Sequence, residues 1–274
     1  MVNVYKSVSV VILYFNDIHI NETVKSIKRQ TIIPDEIIII DDFSDTPLDT
    51  NITNSDCKII RNSQNMGRGY SRNLGIKESK SEFVVFCDSS NALCENFIEK
   101  ALLDFKSKKI SAVFGKIVGK HEHKDACSKW RERNLFLETY PFAKKTYRVF
   151  SLSTYAVMIR KSHAKKIGNF DKKLRRFEDH DLGERLLAKG YEILFNPNLF
   201  CVSNRKEDLY ELATRVDRWY SPSNEELNFK SCLDLLKTSF FIWLKKDIES
   251  EDYRGILISL CIPIIIIYQN IIND

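Results

Sequence analysis

The sequence lacks the features that mark several common classes of protein. Its 274 residues show no Cys and His spacing typical of a zinc site, and no interleaved aromatic and basic residues typical of RNA binding. A net charge of +5 is too small to indicate a nucleic-acid partner, although it suits phosphate-bearing ligands or an anionic membrane surface. No small-residue cleavage site follows the apolar run at residues 8–15, so we interpret that run as a first strand and not as a signal peptide.

The seven cysteines do not indicate a disulfide framework. They are scattered along the chain, odd in number and mostly in apolar surroundings, which is typical of reduced thiols in a cytosolic protein. A hydrophobic share of 43% and a charged share of 29% are ordinary for a soluble globular protein. The length allows one large α/β domain, or a domain with an appendage.

Short apolar segments alternate with helical segments through the first 115 residues. The segments predicted as buried strands are residues 7–15, 36–40, 58–61, 83–87 and 110–115. Strands and helices that alternate in this way predict parallel βαβ units with right-handed crossovers. We therefore expect an α/β fold with a mostly parallel central sheet flanked by helices.

Two of these strands end in aspartate. Asp41 and Asp42 follow one strand and Asp88 follows another, while Arg72 lies in the first turns of the helix between them. The carboxyl ends of parallel strands meet at one edge of the sheet, which is where open α/β sheets bind ligands. Taken alone, Asp88 is equally consistent with a turn residue, and Asp42 with an Asx-turn. Together these residues favour a nucleotide-sized site.

Five segments, in the same order, resemble the family 2 glycosyltransferases of the GT-A fold, a Rossmann-like fold. Residues 8–16 are similar to the family's first strand, with Leu13 in place of its usual proline. Residues 36–45 are close to Glu-Ile-Ile-Val-Val-Asp-Asp-Gly-Ser-Thr-Asp, and residues 65–76 match Asn-x-Gly…Ala-Arg-Asn-x-Gly-Ile. Residues 86–91 align with Phe-Leu-Asp-Ser-Asp-Asp, and residues 178–191 with Glu-Asp-x-Asp-Leu-x-x-Arg-Leu…Gly-Tyr. The resemblance covers about residues 7–202.

The resemblance implies a nucleotide-diphospho-sugar donor, most simply a UDP-sugar, and a set of donor-binding residues. That set is Leu13, Tyr14, Asp41, Asp42, Arg72, Asp88, Ser89 and Arg218. Within it, Asp41 is implied to accept a hydrogen bond from the base, and Arg72 to reach the base or a phosphate. Arg218 belongs to a segment similar to the Gln-x-x-Arg-Trp of processive polysaccharide synthases, with Arg215 in place of the glutamine.

The same resemblance makes Asp179 the catalytic base. General-base attack on the anomeric carbon needs one carboxylate within hydrogen-bond reach of the acceptor hydroxyl. Without the resemblance, Asp179 and Glu178 would be interpreted as acidic residues that cap a helix and complement its dipole. With it, Glu178 is expected to orient or contact the acceptor. One carboxylate acting alone implies direct displacement with inversion.

The metal site is where this sequence departs from the family. A cation such as Mn²⁺ or Mg²⁺ that bridges a diphosphate is normally held by carboxylate oxygens. Asp88 is present, but the family's second aspartate is Ser90, a neutral and poorer ligand. Three outcomes stay open: Asp88 holds a weakly bound ion with water and phosphate, another carboxylate substitutes, or cations such as Arg72 neutralise the leaving group.

We expect a GT-A domain at residues 1–205, with a nucleotide-sugar-binding half (1–115) and an acceptor-binding half (116–205). Residues 206–274 are expected to form a C-terminal helical extension. Its apolar segments carry lysines nearby, which suits a helix that lies in a membrane interface as well as one that packs on the main domain. The expected location is cytoplasmic, peripheral on the inner face of the cell membrane.

The sequence thus predicts an inverting glycosyltransferase that acts on a glycan or lipid-linked acceptor in surface polysaccharide biosynthesis. Because Ser90 weakens the metal motif, the alternative is a non-catalytic or metal-independent nucleotide-sugar-binding protein. A sugar-nucleotide nucleotidyltransferase is a weaker rival, because the loop after the first strand (residues 14–17) is neither glycine-rich nor basic.

Overall fold

The computed structural model of this chain describes residues 6–48, 56–122, 124–136, 145–220 and 229–272. Packing divides the chain into two units. The first consists of Met1–Ile117 and Phe142–Asn204, and the second of Val118–Pro141 and Arg205–Asp274. Residues 118–141 therefore group with the C-terminal helices. The functional labels of a donor-binding and an acceptor-binding half stay predictions.

A mixed sheet forms the first unit. Its strands in the described residues are β1 (Val8–Tyr14), β2 (Glu36–Asp41), β3 (Cys57–Arg61), β4 (Phe83–Asp88), β5 (Asn91–Leu93), β6 (Ile110–Gly119), β7 (Tyr147–Val149), β8 (Ala156–Arg160) and β9 (Glu192–Ser203). Their order across the sheet is β3-β2-β1-β4-β8-β6-β9-β5, with β7 paired to β9.

The strands β3, β2, β1 and β4 are parallel, as the alternation of strands and helices predicts. The strand β8 pairs antiparallel with β4 on one side and with β6 on the other, and β9 pairs antiparallel with β5 and β7. The strand β6, which we expected to extend the parallel series, is therefore antiparallel to its neighbour. Almost every side chain of β1, β2 and β4 is buried, because helices cover both faces of this part of the sheet.

The helices of the first unit are α1 (Ile20–Lys28), α2 (Arg68–Glu78), α3 (Phe97–Asp104), α5 (Lys161–Lys166) and α6 (Glu178–Ala188). Helix α2 packs closely on the sheet at Gly75, where a Cβ atom would lie 2.4 Å from Cγ1 of Val11. Only glycine permits that approach. The close packing fixes α2 against β1 and thereby fixes the position of Arg72 relative to the strand ends.

The second unit is helical, as expected for the C-terminal extension. It contains α4 (Ala126–Arg131), α7 (Leu209–Tyr220), α8 (Phe229–Thr238), α9 (Leu244–Glu249) and α10 (Tyr253–Ile272), with π-helical segments at Glu132–Phe136 and Ser239–Trp243. Its centre includes the fully buried rings of Trp130 and Trp243, whose centroids lie 5.2 Å apart in an edge-on arrangement. Asp247 is also buried there and accepts hydrogen bonds from Arg133 and Ser259.

Candidate active site

The parallel strands bring the predicted donor residues to one edge of the sheet. In the register of β1 with its neighbours, Tyr14 pairs with Asp41 and Leu13 pairs with Asp88. All four residues lie at the carboxyl ends of their strands. The edge that the sequence predicted as a ligand site therefore carries two aspartates and a tyrosine at the same level.

Asp41 is held by groups from its own neighbourhood. Its Oδ2 accepts a hydrogen bond from Nη1 of Arg61 at 2.6 Å, and its Oδ1 accepts one from the backbone N–H of Ser44 at 2.9 Å. Asp41 is 1% exposed. The predicted hydrogen bond from a nucleobase to this carboxylate stays a prediction. A base would need to reach the carboxylate where Arg61 now donates to it.

Asp42 organises the loop that leads into α2. Its Oδ1 accepts hydrogen bonds from Nδ2 of Asn62 at 2.7 Å and from the backbone N–H of Met66 at 2.8 Å. Its Oδ2 accepts from the backbone N–H of Gly67 at 2.9 Å, directly before the helix begins. These contacts give Asp42 a clear positioning role for the start of α2. Its predicted contact with the donor is not tested by them.

Tyr14 presents a phenol beside the acidic strand ends. Burial raises the pKa of Tyr14, the carboxylates of Asp41 and Asp17 raise it further, and a hydrogen bond to Ser44 opposes them. The phenol is therefore neutral at physiological pH and available as a hydrogen-bond donor. Leu13, its neighbour in the predicted donor set, is partly buried between Ile40 and Asp88 of the adjacent strands.

Arg72 joins the two halves of the predicted site. Its Nη1 donates to Oε1 of Glu178 at 2.5 Å, and its Nη2 lies 3.9 Å from Oδ1 of Asp88. Its guanidinium carbon lies 5.4 Å from the centre of the Phe170 ring. The side chains of Arg72 and Glu178 are each only 3% exposed. The buried guanidinium of Arg72 therefore connects Asp88, which is predicted to bind the sugar donor, to the first turn of α6, which carries the predicted base.

Asp179 lies next to Glu178 in the first turn of α6 and is partly exposed. Its Oδ2 accepts a hydrogen bond from the hydroxyl of the buried Thr154 at 3.1 Å, and its Oδ1 accepts one from the backbone N–H of His180 at 2.9 Å. Phe177, which caps the helix, has a left-handed backbone with φ of 59°. Strained residues of this kind persist where their surroundings fix them, and they cluster at functional sites.

The turn after β4 holds the metal motif. Ser89 is buried, and its carbonyl accepts a hydrogen bond from the hydroxyl of Thr23 at 2.6 Å. The carbonyl of Ser90 accepts one from the backbone N–H of Asn204 at 2.8 Å. The side chain of Asp88 is 45% exposed and is therefore accessible to a ligand. Among the described residues, no three His, Cys, Asp or Glu side chains form a cluster that could hold a metal ion.

Arg218 belongs to α7, in the second unit. Its Nε donates to the carbonyl of Thr214, one turn earlier in the same helix, at 3.3 Å. Near it, Arg215, which is partly buried, forms an ion pair with the buried Glu207. The predicted contact between Arg218 and the donor diphosphate stays a prediction.

The structure adds two residues that the sequence analysis missed. Arg61 ends β3 and neutralises Asp41, and Thr154 holds Asp179 from the segment before β8. Arg61 could have been found, because a basic residue that ends a strand beside an acid-ended strand is a simple pattern. Thr154 gave no such signal, because its partner lies 25 residues later in the chain.

Residues 9–168 match the family model described as Glycosyl transferase family 2. The chain belongs to glycosyl transferase family 2. This confirms the resemblance to the family and makes the chain a transferase. The roles of individual residues that the resemblance implies stay predictions. The nucleotidyltransferase alternative has no such support.

Two curated relatives agree with this membership. The uncharacterized glycosyltransferase YwdF of Bacillus subtilis is 30% identical over 192 residues, which cover 68% of this chain and 69% of that protein. The O-antigen chain rhamnosyltransferase WbaN of Salmonella anatum is 27% identical over 185 residues, which cover 64% of this chain and 58% of WbaN.

Solved structures confirm the GT-A fold of this family 2 glycosyltransferase. GalNAc-T7, crystallised with UDP, GalNAc and Mn²⁺, aligns with a TM-score of 0.60 at 17% identity, over 86% of this chain and 51% of its own. TarS of S. aureus aligns with a TM-score of 0.56 at 19% identity, over 88% of this chain and 43% of its own. The chain therefore spans about half the length of these two proteins, and the likeness concerns the fold.

Proposed function

We propose that this glycosyltransferase moves a sugar, with inversion, from a nucleotide-diphospho-sugar to a hydroxyl of a glycan or lipid-linked acceptor. The observation that carries the proposal is the Arg72 bridge between Asp88 and Glu178. This bridge brings Asp88, which is predicted to bind the sugar donor, to the start of α6, the helix that bears the predicted general base, Asp179. A site for donor and acceptor needs these two groups close together, and they come from distant parts of the sequence.

In the proposed reaction, the oxygen of the acceptor hydroxyl forms a bond to the anomeric carbon of the donor sugar. The bond from that carbon to the phosphate oxygen breaks on the opposite side, and the nucleoside diphosphate leaves with the electron pair. Asp179 receives the hydroxyl proton. The hydrogen bonds from Thr154 and from the His180 N–H fix the orientation of the Asp179 carboxylate. One carboxylate that accepts the hydroxyl proton suits direct displacement with inversion, which passes through no covalent sugar–enzyme intermediate.

A UDP-sugar donor and a surface polysaccharide product are the finer parts of this proposal. The relative WbaN is named as an O-antigen chain rhamnosyltransferase, which supports an acceptor of the polysaccharide class. The GT-A relative GalNAc-T7 was crystallised with UDP, which supports UDP as the first nucleotide to test.

We further propose that a divalent cation, Mn²⁺ or Mg²⁺, is bound weakly. The exposed carboxylate of Asp88 and the Ser90 hydroxyl offer hard oxygen atoms, which fit such a cation, but they supply only one negative charge. When bound, the cation would offset the charge that develops on the leaving diphosphate. Oxygen atoms of the donor and of water have to complete its coordination.

The outer face of α10 supports a peripheral contact with a membrane. Its exposed large apolar residues are Tyr253, Leu257, Leu260, Ile264, Tyr268 and Ile271. They recur at helical spacing and form one stripe along the 20 residues of the helix. An apolar stripe of this length on a helix surface is typical of an interaction site. Tyrosines near its two ends suit the boundary between lipid and water.

The inner face of α10 favours a helix that lies on the membrane over one that crosses it. Within the described residues, one helical stretch, Tyr253–Ile271, is long and apolar enough to span a bilayer, with a mean hydropathy of 1.7. Its buried side, however, makes polar contacts inside the second unit: Ser259 donates to Asp247, and Gln269 donates to Thr214. Insertion across a bilayer would break these contacts. We therefore propose a cytoplasmic enzyme, peripheral on the inner face of the cell membrane.

The decisive experiment replaces Asp179 by asparagine. Donor hydrolysis and transfer are measured with UDP-sugars in the presence of Mn²⁺ or Mg²⁺. Asp179→Asn keeps the shape of the side chain and removes the proton acceptor, so kcat should fall by about 10²–10⁴-fold. The donor-induced shift in melting temperature should stay. Glu184→Gln is the matched control, because Glu184 is an acidic residue of the same helix with a side chain that is 67% exposed, and it should keep its activity. Full turnover by Asp179→Asn would refute Asp179 as the base.

A further inference from the structure

Phe43 has an unusual backbone for its side chain. It follows Asp41 and Asp42 at the position where the family motif quoted above has glycine, and its φ is 68°. Glycine adopts such left-handed angles freely, whereas a side chain with a Cβ is strained there. The Phe43 side chain is also exposed to 45%, so burial of the ring does not offset the strain. A residue that is both strained and exposed calls for a functional explanation.

The ring of Phe43 lies on a fixed support. The guanidinium carbon of Arg61 is 5.1 Å from the centre of the ring, a cation–π arrangement. Arg61 itself is held by Asp41 at 2.6 Å and by the carbonyl of Ser44 at 2.7 Å. The ring is thus backed on one side by a cation that is itself anchored at two points.

The loop after β1 holds the Phe43 loop in place. The backbone N–H of Asn16 donates to the Ser44 hydroxyl at 3.0 Å, and its side-chain amide donates to Asp45 at 2.9 Å. In return, the backbone N–H of Asp45 donates to Oδ1 of Asn16 at 2.9 Å. Three hydrogen bonds therefore fix the two loops to each other at the carboxyl edge of the sheet. A site built this way presents the Phe43 ring in one orientation.

We propose that Phe43 stacks on the base of the nucleotide donor, with the base on the face of the ring opposite the Arg61 guanidinium. The inference rests on the proposed function, since it assumes a nucleotide donor at this edge. Asp41, the predicted base contact, is 1% exposed and both of its oxygens already accept hydrogen bonds. Phe43 is an accessible aromatic residue of the same loop, and a flat ring binds the flat face of any base.

The test compares nucleotide binding by Phe43→Gly, Phe43→Leu and Phe43→Tyr with binding by the unaltered protein. The ligand is whichever of UDP, dTDP, GDP, CDP and ADP binds the unaltered protein most tightly, titrated by calorimetry with Mn²⁺ or Mg²⁺. Phe43→Gly and Phe43→Leu should bind it at least about fivefold more weakly, because loss of base–aromatic stacking weakens binding by that factor or more. Phe43→Tyr keeps the ring and should bind within about twofold of the unaltered protein by the same reasoning.

Two further readouts separate stacking from a structural role. Phe43→Gly should melt at the same or a higher temperature, because glycine removes the left-handed strain. Inorganic pyrophosphate, which has no base, should bind the glycine variant and the unaltered protein equally. Ile33→Ala, a control at an exposed apolar residue in the loop before β2, should leave nucleotide binding unchanged.

The outcomes distinguish this inference from the proposed function. If the unaltered protein binds none of the five nucleotides, with either metal, the proposed function itself fails. If it binds one of them and Phe43→Gly and Phe43→Leu bind that nucleotide as tightly, the stacking inference is wrong while the proposed function stands. Weaker binding of pyrophosphate by the glycine variant would also overturn the inference, because the effect would then not concern the base.

Discussion

Removal of the Arg72 guanidinium should be the most damaging single change at the site. Arg72→Met keeps the apolar stem but leaves the carboxylate of Glu178, which is 3% exposed, without its cation at 2.5 Å. Breaking a buried ion pair in this way costs about 3–5 kcal/mol, because the remaining charge is uncompensated in the interior. The contact with Asp88, at 3.9 Å and to a side chain that is 45% exposed, adds less than about 1 kcal/mol. We therefore expect Arg72→Met to lose about 3–5 kcal/mol of unfolding free energy.

Urea unfolding measures this loss, and the double variant Arg72→Met/Glu178→Gln tests its cause. With both charges removed, most of the lost stability should return, while activity stays low because the start of α6 is no longer positioned. Lys58→Met is the matched control: Lys58 pairs with Glu78 at 2.6 Å, but the two side chains are 48% and 27% exposed. That change should cost less than about 1 kcal/mol. The reasoning is refuted if Arg72→Met costs no more than Lys58→Met, or if the double variant is no more stable than Arg72→Met.

Two shorter predictions concern the metal and the membrane. Ser90→Asp adds the missing carboxylate, so half-maximal activity should need roughly tenfold less Mn²⁺. Ser90→Ala should not lower the Mn²⁺ concentration that is needed. An unchanged metal requirement in Ser90→Asp would contradict the predicted site beside Asp88. Leu257→Glu/Ile264→Glu places charge on the exposed stripe of α10 and should abolish flotation with phosphatidylglycerol vesicles, while Leu103→Glu, at an exposed residue of α3, should float normally. Failure of the unaltered protein to float would refute the membrane contact.

The parallel part of the fold could be predicted from the sequence because its signals are local. Runs such as residues 36–41 and 83–88 are apolar, end in a carboxylate and are separated by helices, so they give both the strands and their direction. In the antiparallel part, the sequence indicates a strand at residues 110–115 but not its direction relative to its neighbour. The strands β5 and β7 have only three residues each, which is too short for a clear alternation or apolar run.

The candidate site shows the same limit at the level of side chains. Sequence motifs identified Asp41, Asp42 and Asp88 as acidic strand ends, but they could not show which carboxylate is already engaged. In the structure, Asp42 accepts three hydrogen bonds from the loop before α2, whose donors lie 20, 24 and 25 residues later in the chain, and Asp41 is paired with Arg61. These partners follow from the three-dimensional packing of three neighbouring strand ends. The spacing of residues within one motif cannot predict these contacts between separate segments.

The placement of Arg72 also bears on how the leaving group is stabilised. One possibility open from the sequence was that Arg72 itself neutralises the diphosphate in place of a metal. Its guanidinium is 3% exposed and pairs with Glu178, so its charge is already balanced, and its face lies against the Phe170 ring. In that position, Arg72 holds the carboxylates around it in place, but a solvated diphosphate has little access to its guanidinium. The side chain of Asp88 at the end of β4 is 45% exposed, but it is an anion and would repel the diphosphate unless a cation lay between them. The geometry therefore favours a weakly held divalent ion at Asp88 over a metal-independent reaction driven by Arg72.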